Sequence, residues 1–395
     1  MVKFRLASRT RTLYYRRNMK RKWVVIGIIL LFMGTWITSA IAQTTEISLP
    51  SLNGRTIYVD DDNTVGPWDG TMEHPYQHIQ DGVDASVDTD FVFVFSGLYF
   101  ENVCVNKSIN LTGENREITI IDADFNGSGI RLQNSSGISI NGFTVQHSGT
   151  APFDNAGINL EYMHNMIYLN NTMIFHNILK ENWNGIIISA VYNSRFYDNI
   201  IEENYYNGFY GINSLCNSLL SNNIIRNNGN YGIHLQICDS NEINNNIIEN
   251  NIALNIRLDE CFENIIINNY IAQSHYGIFV DDRSWLNQIM SNNITQNEIG
   301  LHIFTAQYTV VKKNNFIGNT VHASFIGLFF WSPVTTHWSV NYWSDAPRPM
   351  KIVGKKGFAL YYFYGFDFLP FIIQLPWLQY DFSSVNEPYD IPGMS

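Results

Sequence analysis

A short motif that begins with Asn-Asn recurs along the chain at a nearly constant spacing, and this repeat limits the possible folds more than any other feature. The copies read NNIIRNN at 222–228, NNIIENN at 245–251, NNYIAQS at 268–274, NNITQN at 292–297 and NNFIGN at 314–319. A repeat of 22–24 residues is typical of solenoid proteins, in which each repeat forms one coil that packs on its neighbours. The sequence therefore predicts a stack of similar coils.

Columns of glycine and asparagine mark the same period. The glycines are Gly129, Gly157, Gly185, Gly208, Gly232, Gly277 and Gly300, and Asn255 stands where one is missing. Glycine adopts a positive φ most readily and asparagine is the next-best residue, so we expect a positive φ at this position of each coil. One asparagine column holds Asn177, Asn199, Asn223, Asn246, Asn269, Asn293 and Asn315, and another holds Asn217, Asn241, Asn264 and Asn287. Three columns predict three corners per coil, where stacked asparagine amides, which both donate and accept, should form structural ladders.

An alternating pattern follows each glycine and predicts a strand with one buried face. The first residue after the glycine is Ile158, Ile186, Phe209, Ile233, Ile256, Ile278 or Leu301, and the third is Leu160, Ile188, Gly211, Leu235, Leu258, Val280 or Ile303. A strand that returns about every 23 residues with the same face buried fits parallel stacking of successive coils. Leucine-rich repeats share this period, but their leucine spacing is absent. We therefore predict an all-β fold, a parallel β-helix.

The repeats resemble those of right-handed parallel β-helix proteins of the pectate-lyase-like superfamily, and within it those of NosD-like proteins. Besides the Gly-Ile-x-Leu and Asn-x-Ile steps, the likeness rests on IYVDDDNTVGPWDGTMEHPYQHIQDGVDAS from Ile57, FVFVFSGLYFENVCVNKSINLTGEN from Phe91, NYWSD at 341–345 and NEPYDIPG at 386–393. It covers residues 56–345 well. The resemblance implies a right-handed β-helix, and NosD-like proteins imply copper handling during the maturation of nitrous oxide reductase.

The first 42 residues have the composition of an export signal. Residues 1–22 hold nine lysines and arginines and no acid, and the apolar run from Trp23 to Ala42 ends in small residues. A run of this length could also stay uncleaved as a membrane anchor. We expect an extracellular, cell-surface or periplasmic protein that meets the membrane only through this segment. The remaining chain has 15 basic and 35 acidic residues, a charge of −20, which argues against a nucleic-acid partner.

Four segments follow from these patterns. Residues 1–42 are a signal peptide or membrane anchor, 43–90 an N-terminal lead-in and cap, 91–340 the parallel β-helix and 341–395 a C-terminal cap. Ile79, Val83 and Val87 recur at helical spacing and predict a short cap helix at the N-terminal end. After residue 340 the period stops, and six prolines with a very apolar run predict an irregular aromatic cap.

Outward side chains on stacked strands should form rows about 4.8 Å apart, and one such row is rich in groups that contact sugars. It holds Tyr210, His234, Arg257 and His302, which we expect to bind a substrate or ligand. Two neighbouring coils also bring together Asp259, Glu260, Asp281 and Asp282, with Arg257 and Arg283 beside them. Three interpretations remain open for this cluster: a solvated corner with local ion pairs, a calcium site formed by all four carboxylates, or a catalytic centre at Asp259, Asp281 and Asp282.

Comparison with β-helix enzymes weakens the catalytic interpretation. Polygalacturonase-like enzymes carry an Asp-Asp pair, which Asp281 and Asp282 resemble, but their Gly-His-Gly and Arg-x-Lys steps are absent. The Asp-Pro-His step of mannuronan epimerases is absent as well. The sequence therefore favours binding over catalysis.

Two cysteines raise the question of a disulfide or a metal. Cys238 and Cys261 lie 23 residues apart, so we expect them to stack on neighbouring coils. Core packing, a disulfide in an oxidising compartment and a soft metal site all fit that arrangement. The NosD resemblance adds copper, although no Met-x-Met or His-x-His cluster accompanies it. No cofactor is certain, and calcium and copper are the alternatives.

The leading hypothesis is an exported β-helix protein that binds a polysaccharide or another cell-envelope component without catalysis. Exposed rows of tyrosine, histidine and acidic residues suit sugar contacts. A polysaccharide lyase or glycoside hydrolase on the outer face is the first alternative, and a NosD-like copper accessory protein is the second.

Overall fold

The computed structural model describes residues 54–151, 154–160, 169–328, 336–345, 349–364 and 367–391. The predicted export segment lies outside these residues. Almost all regular structure in the described part is β-strand, and the strands run in a repeating order through three parallel sheets, named A, B and C. Each coil contributes one strand to A, then one to B, then one to C. This is the predicted parallel β-solenoid.

The strands of each sheet stack in sequence order. Sheet A contains Thr56–Val59, Phe91–Val94, Asn110–Gly113, Ser139–Asn141, Met173–Phe175, Arg195–Tyr197, Leu219–Ser221, Glu242–Asn244, Ile265–Ile267, Gln288–Met290, Val310–Lys312 and His337–Ser339. Sheet B contains Gly97–Phe100, Thr119–Asp122, Thr144–Gln146, Ile178–Lys180, Ile200–Glu202, Ile224–Arg226, Ile247–Glu249, Tyr270–Ala272, Asn293–Thr295, Asn315–Ile317 and Tyr342–Trp343. Sheet C contains Val103–Val105, Ile130–Leu132, Ile158–Leu160, Leu169–Asn170, Ile186–Tyr192, Phe209–Cys216, Tyr231–Gln236, Leu254–Asp259, Tyr276–Val280, Ile299–Phe304, Val321–Leu328, Met350–Tyr364 and Asp367–Asp381.

The predicted inward positions form the core. Ile233 pairs with Ile256, and Ile256 pairs with Ile278, so these side chains line up along the axis of the coils. All three are fully buried. Burying an aliphatic side chain of this size stabilises the fold by roughly 1.5–3 kcal/mol, and each coil repeats that contribution. The alternation read from the sequence therefore gives the correct register.

In three of the five copies, the doubled asparagines divide two tasks between them at the corner from sheet A to sheet B. The first residue of the pair, such as Asn222 or Asn245, adopts a left-handed φ of 56° or 55°. The second, such as Asn223 or Asn246, is buried, and Nδ2 of Asn223 donates to Oδ1 of Asn246 at 2.9 Å. Asparagine suits both tasks, because it tolerates positive φ and its amide can donate and accept.

The predicted ladders exist, but three of their members were placed one residue too late or too early. The A-to-B ladder continues through Asn292 and Asn314, whereas Asn293 and Asn315 start the following strands. The corner from sheet C to sheet A uses Ser218 before Asn241, and the neighbouring Asn217 takes the left-handed φ instead. Adjacent asparagines cannot be told apart by spacing alone, because either could carry the amide that stacks.

A third ladder, at the corner from sheet B to sheet C, was not predicted, and it explains the glycine column. Asn204 donates to Asn228, and Asn228 donates to Asn251. A Cβ on Gly232 would lie 2.6 Å from Nδ2 of Asn251, and none of the column glycines has a positive φ. The glycines therefore make room for the ladder amide of the next coil. The prediction that they serve a positive φ was wrong.

The two ends differ from the sequence predictions in detail. The predicted helix is present as Ile79–Ala85, with Ile79 and Val83 buried, but Val87 lies beyond it and is exposed. At the other end, the strands Met350–Tyr364 and Asp367–Asp381 form a long antiparallel hairpin that extends sheet C, in place of the predicted irregular segment. The prolines of the last strand are tolerated there because that strand ends the sheet and pairs on one side. None of the helices in the described part of the chain has the length and apolar character needed to cross a bilayer.

Candidate functional site

The predicted ligand-binding row lies on the outer face of sheet C, as parallel pairing requires. Tyr210 pairs with His234, His234 with Arg257, Arg257 with Phe279, and Phe279 with His302. We call these five residues the outer row. Their side chains alternate along each strand with the buried positions, so the same register that forms the core also brings the row together.

Arg257 is the centre of the site. Its Nε lies 2.8 and 3.0 Å from the two carboxylate oxygens of Asp259, and its Nη2 lies 2.5 Å from Oδ2 of Asp281. Nη1 donates to the hydroxyl of Tyr231 at 3.2 Å. The guanidinium carbon lies 5.5 Å from the ring centre of Tyr231 and 5.4 Å from that of Phe279, within range of cation–π attraction.

His234 and Tyr210 extend the network to the two coils that precede Arg257. Nε2 of His234 lies 2.8 Å from Oδ2 of Asp259, and the rings of His234 and Tyr210 stack with centres 4.8 Å apart. The hydroxyl of Tyr210 donates to Gln236 at 3.0 Å. Burial raises the pKa of Tyr210 to about 12, so its hydroxyl stays protonated. Tyr210 is almost fully buried, which makes it a support for His234 more than a contact surface.

The two central carboxyls titrate in opposite directions. Burial on its own would raise the pKa of Asp259, but hydrogen bonds from His234 and Arg257 outweigh burial and lower the pKa to about 2. Burial raises the pKa of Asp281, and the nearby Asp259 carboxylate opposes its ionisation further, although the Asp282 N–H and Arg257 act in the other direction. Asp259 is therefore a firmly ionised partner of Arg257, and Asp281 is the more easily protonated of the two.

The four predicted carboxylates separate into two groups. Asp259 ends its strand and Asp281 follows the equivalent strand of the next coil, and both face Arg257. Glu260 adopts a left-handed φ of 51° at the corner and pairs with Arg283, which also lies 3.8 Å from Asp282.

The four carboxylates are thus held by two arginines and do not converge on one point. Across the described residues, no group of three or more His, Cys, Asp or Glu side chains is arranged to hold a metal ion. The proposed calcium site would need a rearrangement of both ion-pair groups.

His302 lies at the far end of the outer row, two coils from Arg257. Its Nδ1 lies 2.7 Å from the hydroxyl of Ser324, and its ring is 5.0 Å from that of Phe279. Burial lowers the pKa of His302 to about 4, so the ring is neutral at neutral pH. It therefore extends the aromatic surface without adding charge.

Sequence reasoning missed two tyrosines of the site. Tyr231 contacts both Arg257 and His234, and Tyr276 packs edge-on against Phe279 with ring centres 5.3 Å apart. Both precede a column glycine, Gly232 or Gly277, in the same position of the repeat. A tyrosine directly before a column glycine in two coils was the sequence signal that could have identified them.

Comparison with known families adds to this geometry. The model of a family described as periplasmic copper-binding protein (NosD) matches residues 83–274 and 239–347, most of the solenoid. The chain belongs to the NosD family. A search of curated protein sequences found no match.

Solved structures similar to this NosD-family protein share its fold at low sequence identity. The A-module of the mannuronan C-5 epimerase AlgE4 from Azotobacter vinelandii has a TM-score of 0.51 and 14% identity, covering 71% of this chain and 99% of that chain. XylC, solved in complex with xylose, has a TM-score of 0.52 and 11% identity, covering 67% of this chain and 69% of that chain. These likenesses show the fold, the parallel β-helix that the sequence predicts.

The copper in the NosD description was tested against the paired cysteines. Cys238 and Cys261 stack on neighbouring coils, but both thiols are free and buried. Each lies within 3.5 Å of two backbone carbonyls, as a protonated donor would. Burial raises the pKa of Cys238 to about 12 and that of Cys261 well above its usual range, so the thiolates that bind Cu(I) are disfavoured. The described residues therefore do not fit a copper centre at this pair.

Proposed function

We propose that this NosD-family protein is an exported component of the cell envelope that binds a polysaccharide on the outer face of sheet C without cleaving it. The observation that carries the proposal is the network around Arg257, in which planar polar groups and aromatic rings lie side by side on a rigid strand surface. Sugar-binding sites combine apolar rings, which contact sugar C–H groups, with a few fixed polar groups that orient the hydroxyls. Xylose, a neutral sugar in the name of one structural neighbour, provides the context.

Binding fits the site better than catalysis, because the groups that would react are already engaged. Asp259 accepts hydrogen bonds from Arg257 and His234 and keeps its charge down to strongly acidic pH. A general base near neutral pH would need a pKa closer to the working pH. The network instead resembles a preorganised binding site. Side chains that are already ordered lose less entropy when a ligand binds.

The test is binding of the purified protein to a panel of soluble polysaccharides, measured by calorimetry and by affinity electrophoresis. Arg257→Ala should abolish the binding, because it removes the group that holds Asp259, Asp281 and Tyr231 in place. Arg195→Ala is the matched control, since Arg195 is an exposed arginine on sheet A. If Arg257→Ala lowers the unfolding midpoint, Arg257→Lys keeps the charge but loses the paired hydrogen bonds, and should still weaken binding. Equal binding by wild type and both Arg257 variants would contradict the proposal.

A second candidate function is a glycoside hydrolase or polysaccharide lyase centred on Asp259, Asp281 and Asp282. One observation favours it: the pKa values of Asp259 and Asp281 move apart, as they do in pairs where one carboxyl is the acid and the other is ionised. Asp282 lies apart from this pair, on Arg283. The assay is release of reducing or unsaturated ends from any polysaccharide that binds. If wild type and Arg195→Ala release such ends and Asp281→Asn does not, the function is catalysis and not binding alone.

A further inference from the structure

We infer that the polysaccharide bound by the outer face of sheet C is uncharged, and that the site discriminates against uronic-acid polymers. This inference rests on the proposed function and specifies its ligand. It comes from the way in which the positive charges of the site are already neutralised by acids of the same chain.

Arg257 has no nitrogen left without a partner. Nε is paired with Asp259, Nη2 with Asp281 and Nη1 with Tyr231. One N–H on Nη1 and one on Nη2 take no part in these bonds. The carboxylate of a uronate that accepted from them would still lie beside the carboxylates of Asp259 and Asp281, which share the charge of Arg257. Placing like charges side by side in a partly buried site is unfavourable, and here it would occur without a compensating cation.

The second arginine of the region is used in the same way. Arg283 pairs with Glu260 and lies near Asp282. Between residues 227 and 311 the sequence contains these two arginines, no lysine and nine acidic residues. A polyanion that approaches the site therefore meets a negative surface potential, which lowers its association rate at low ionic strength.

The groups that remain available suit neutral sugars. Tyr231, Tyr276 and Phe279 are half-buried and present apolar ring surface beside the carboxylates. Asp281 accepts one bond from Arg257 and one from the Asp282 N–H, and a carboxylate has about four acceptor positions. The remaining positions can accept hydrogen bonds from sugar hydroxyls, which act as donors whether or not the sugar carries an acid.

The inference is tested with two groups of soluble polymers at low ionic strength. Arabinoxylan, galactomannan and mixed-linkage β-glucan are the neutral probes, and polygalacturonate and alginate are the uronate probes. At least one neutral polymer should bind about tenfold or more tightly than both polyuronates. Tighter or equal binding of a polyuronate would overturn the inference while leaving carbohydrate binding intact. No binding of any polymer would overturn the proposed function, and the inference with it.

A charge variant tests the cause of the selectivity. The double variant Asp259→Asn/Asp281→Asn keeps the shape of both side chains but frees the charge of Arg257, so it should gain binding to polyuronates by about tenfold or more. Glu242→Gln, on sheet A, removes a charge away from the site and should change nothing. The unfolding midpoint shows whether the double variant is folded, and the single variant Asp281→Asn should give a smaller gain in the same direction. If the double variant is folded and its selectivity is unchanged, the neutralisation of Arg257 by the two carboxylates does not cause the selectivity.

Discussion

The side chain of Asn255 fills the place that Ser274 leaves open in the B-to-C ladder. Nδ2 of Asn251 donates to Oδ1 of Asn255 at 2.9 Å, and Nδ2 of Asn255 donates to the backbone oxygen of Ala272 at 2.7 Å. In regular coils the ladder amide itself makes the equivalent bonds, as Asn297 does to the backbone oxygen of Thr295. Asn255 stands at a glycine position and Ser274 at an asparagine position, so the two exceptions to the repeat compensate each other.

This compensation predicts a strong coupling between the two positions. Asn255→Gly should destabilise the protein by about 1–3 kcal/mol, because Asn251 loses a buried hydrogen-bond partner. Ser274→Asn should also destabilise, since two amides would compete for one space. The double variant Asn255→Gly/Ser274→Asn restores the regular repeat and should lie close to wild type. Denaturant unfolding of the four proteins measures the coupling, and additive effects would show that the two sites are independent.

The two asparagines of one doubled pair should respond differently to substitution. Asn246→Ala removes a buried rung that bonds to Asn269 and to the backbone oxygen of Leu220, so we expect a loss of about 1–3 kcal/mol or more. Asn245→Gly is the control, because Asn245 is exposed and its left-handed φ suits glycine, and it should change the stability by no more than about 0.5 kcal/mol. Unfolding midpoints in urea compare the two variants. A larger effect at Asn245 would reverse the assignment of the two tasks.

His147 predicts a stability that depends on pH near neutrality. Its Nδ1 lies 2.8 Å from Asp122 and its Nε2 lies 3.0 Å from Glu181, so both ring nitrogens face carboxylates. Burial alone would lower its pKa, but hydrogen bonds with Asp122 and Glu181 outweigh burial and raise it. Since the folded pKa lies above the unfolded one, the stabilisation is complete below the unfolded value of about 6.5 and is lost as the pH rises through the folded value.

The measurement is the urea midpoint at about pH 5.5 and about pH 8.5 for wild type and for His147→Gln. Wild type should lose more stability than the variant on going to the higher pH. His337→Gln, at an exposed histidine of the last strand of sheet A, should keep the wild-type dependence. A His147→Gln protein with the full wild-type dependence would assign the effect to other groups.

Asp259 predicts the opposite pH dependence at acidic pH. Because its folded pKa is lowered to about 2, its ionised form stabilises the fold above the unfolded value near 3.8, and this contribution is lost as the pH falls toward 2. The contribution is about 2 kcal/mol in a side chain that is mostly buried. Asp259→Asn should therefore cost more stability than Asp281→Asn at pH 7, and the difference from wild type should shrink below about pH 4. Thermal unfolding of wild type and the two variants between pH 7 and pH 2.5 measures these differences in stability. Roughly equal losses of stability in Asp259→Asn and Asp281→Asn at pH 7 would contradict the prediction.

The cysteines predict slow reaction with alkylating reagents in the folded state. Cys238 and Cys261 are buried and their thiol pKa values are raised, so native protein should label at these two positions far more slowly than unfolded protein. Unfolding without reductant should expose four reactive thiols, because all four cysteines are free. Mass spectrometry after alkylation counts them. Two thiols in place of four would show one disulfide, and the identity of the unlabelled peptides would show whether it joins Cys238 and Cys261, the pairing that the sequence left open.

The repeat in the sequence was enough to establish the coils, because alternation determines which residues face inward. Ile233, Ile256 and Ile278 were assigned to the core from spacing and alternation, and they line up there. The same spacing brought Tyr210, His234 and Arg257 into one row. These features depend on a period that the chain repeats many times, so single exceptions do not obscure it.

The corners were decided only by the tertiary structure. Spacing could not separate Asn292 from Asn293. Ser291 takes the left-handed φ in that coil, so Asn292 carries the amide that stacks and Asn293 starts the next strand. Nor could spacing show that Asp259 and Asp281 face Arg257 while Glu260 turns to Arg283. Alternation fixes only the inside and the outside of a strand. The direction of a side chain at a corner, and hence its partner, depends on backbone angles that the neighbouring coils select.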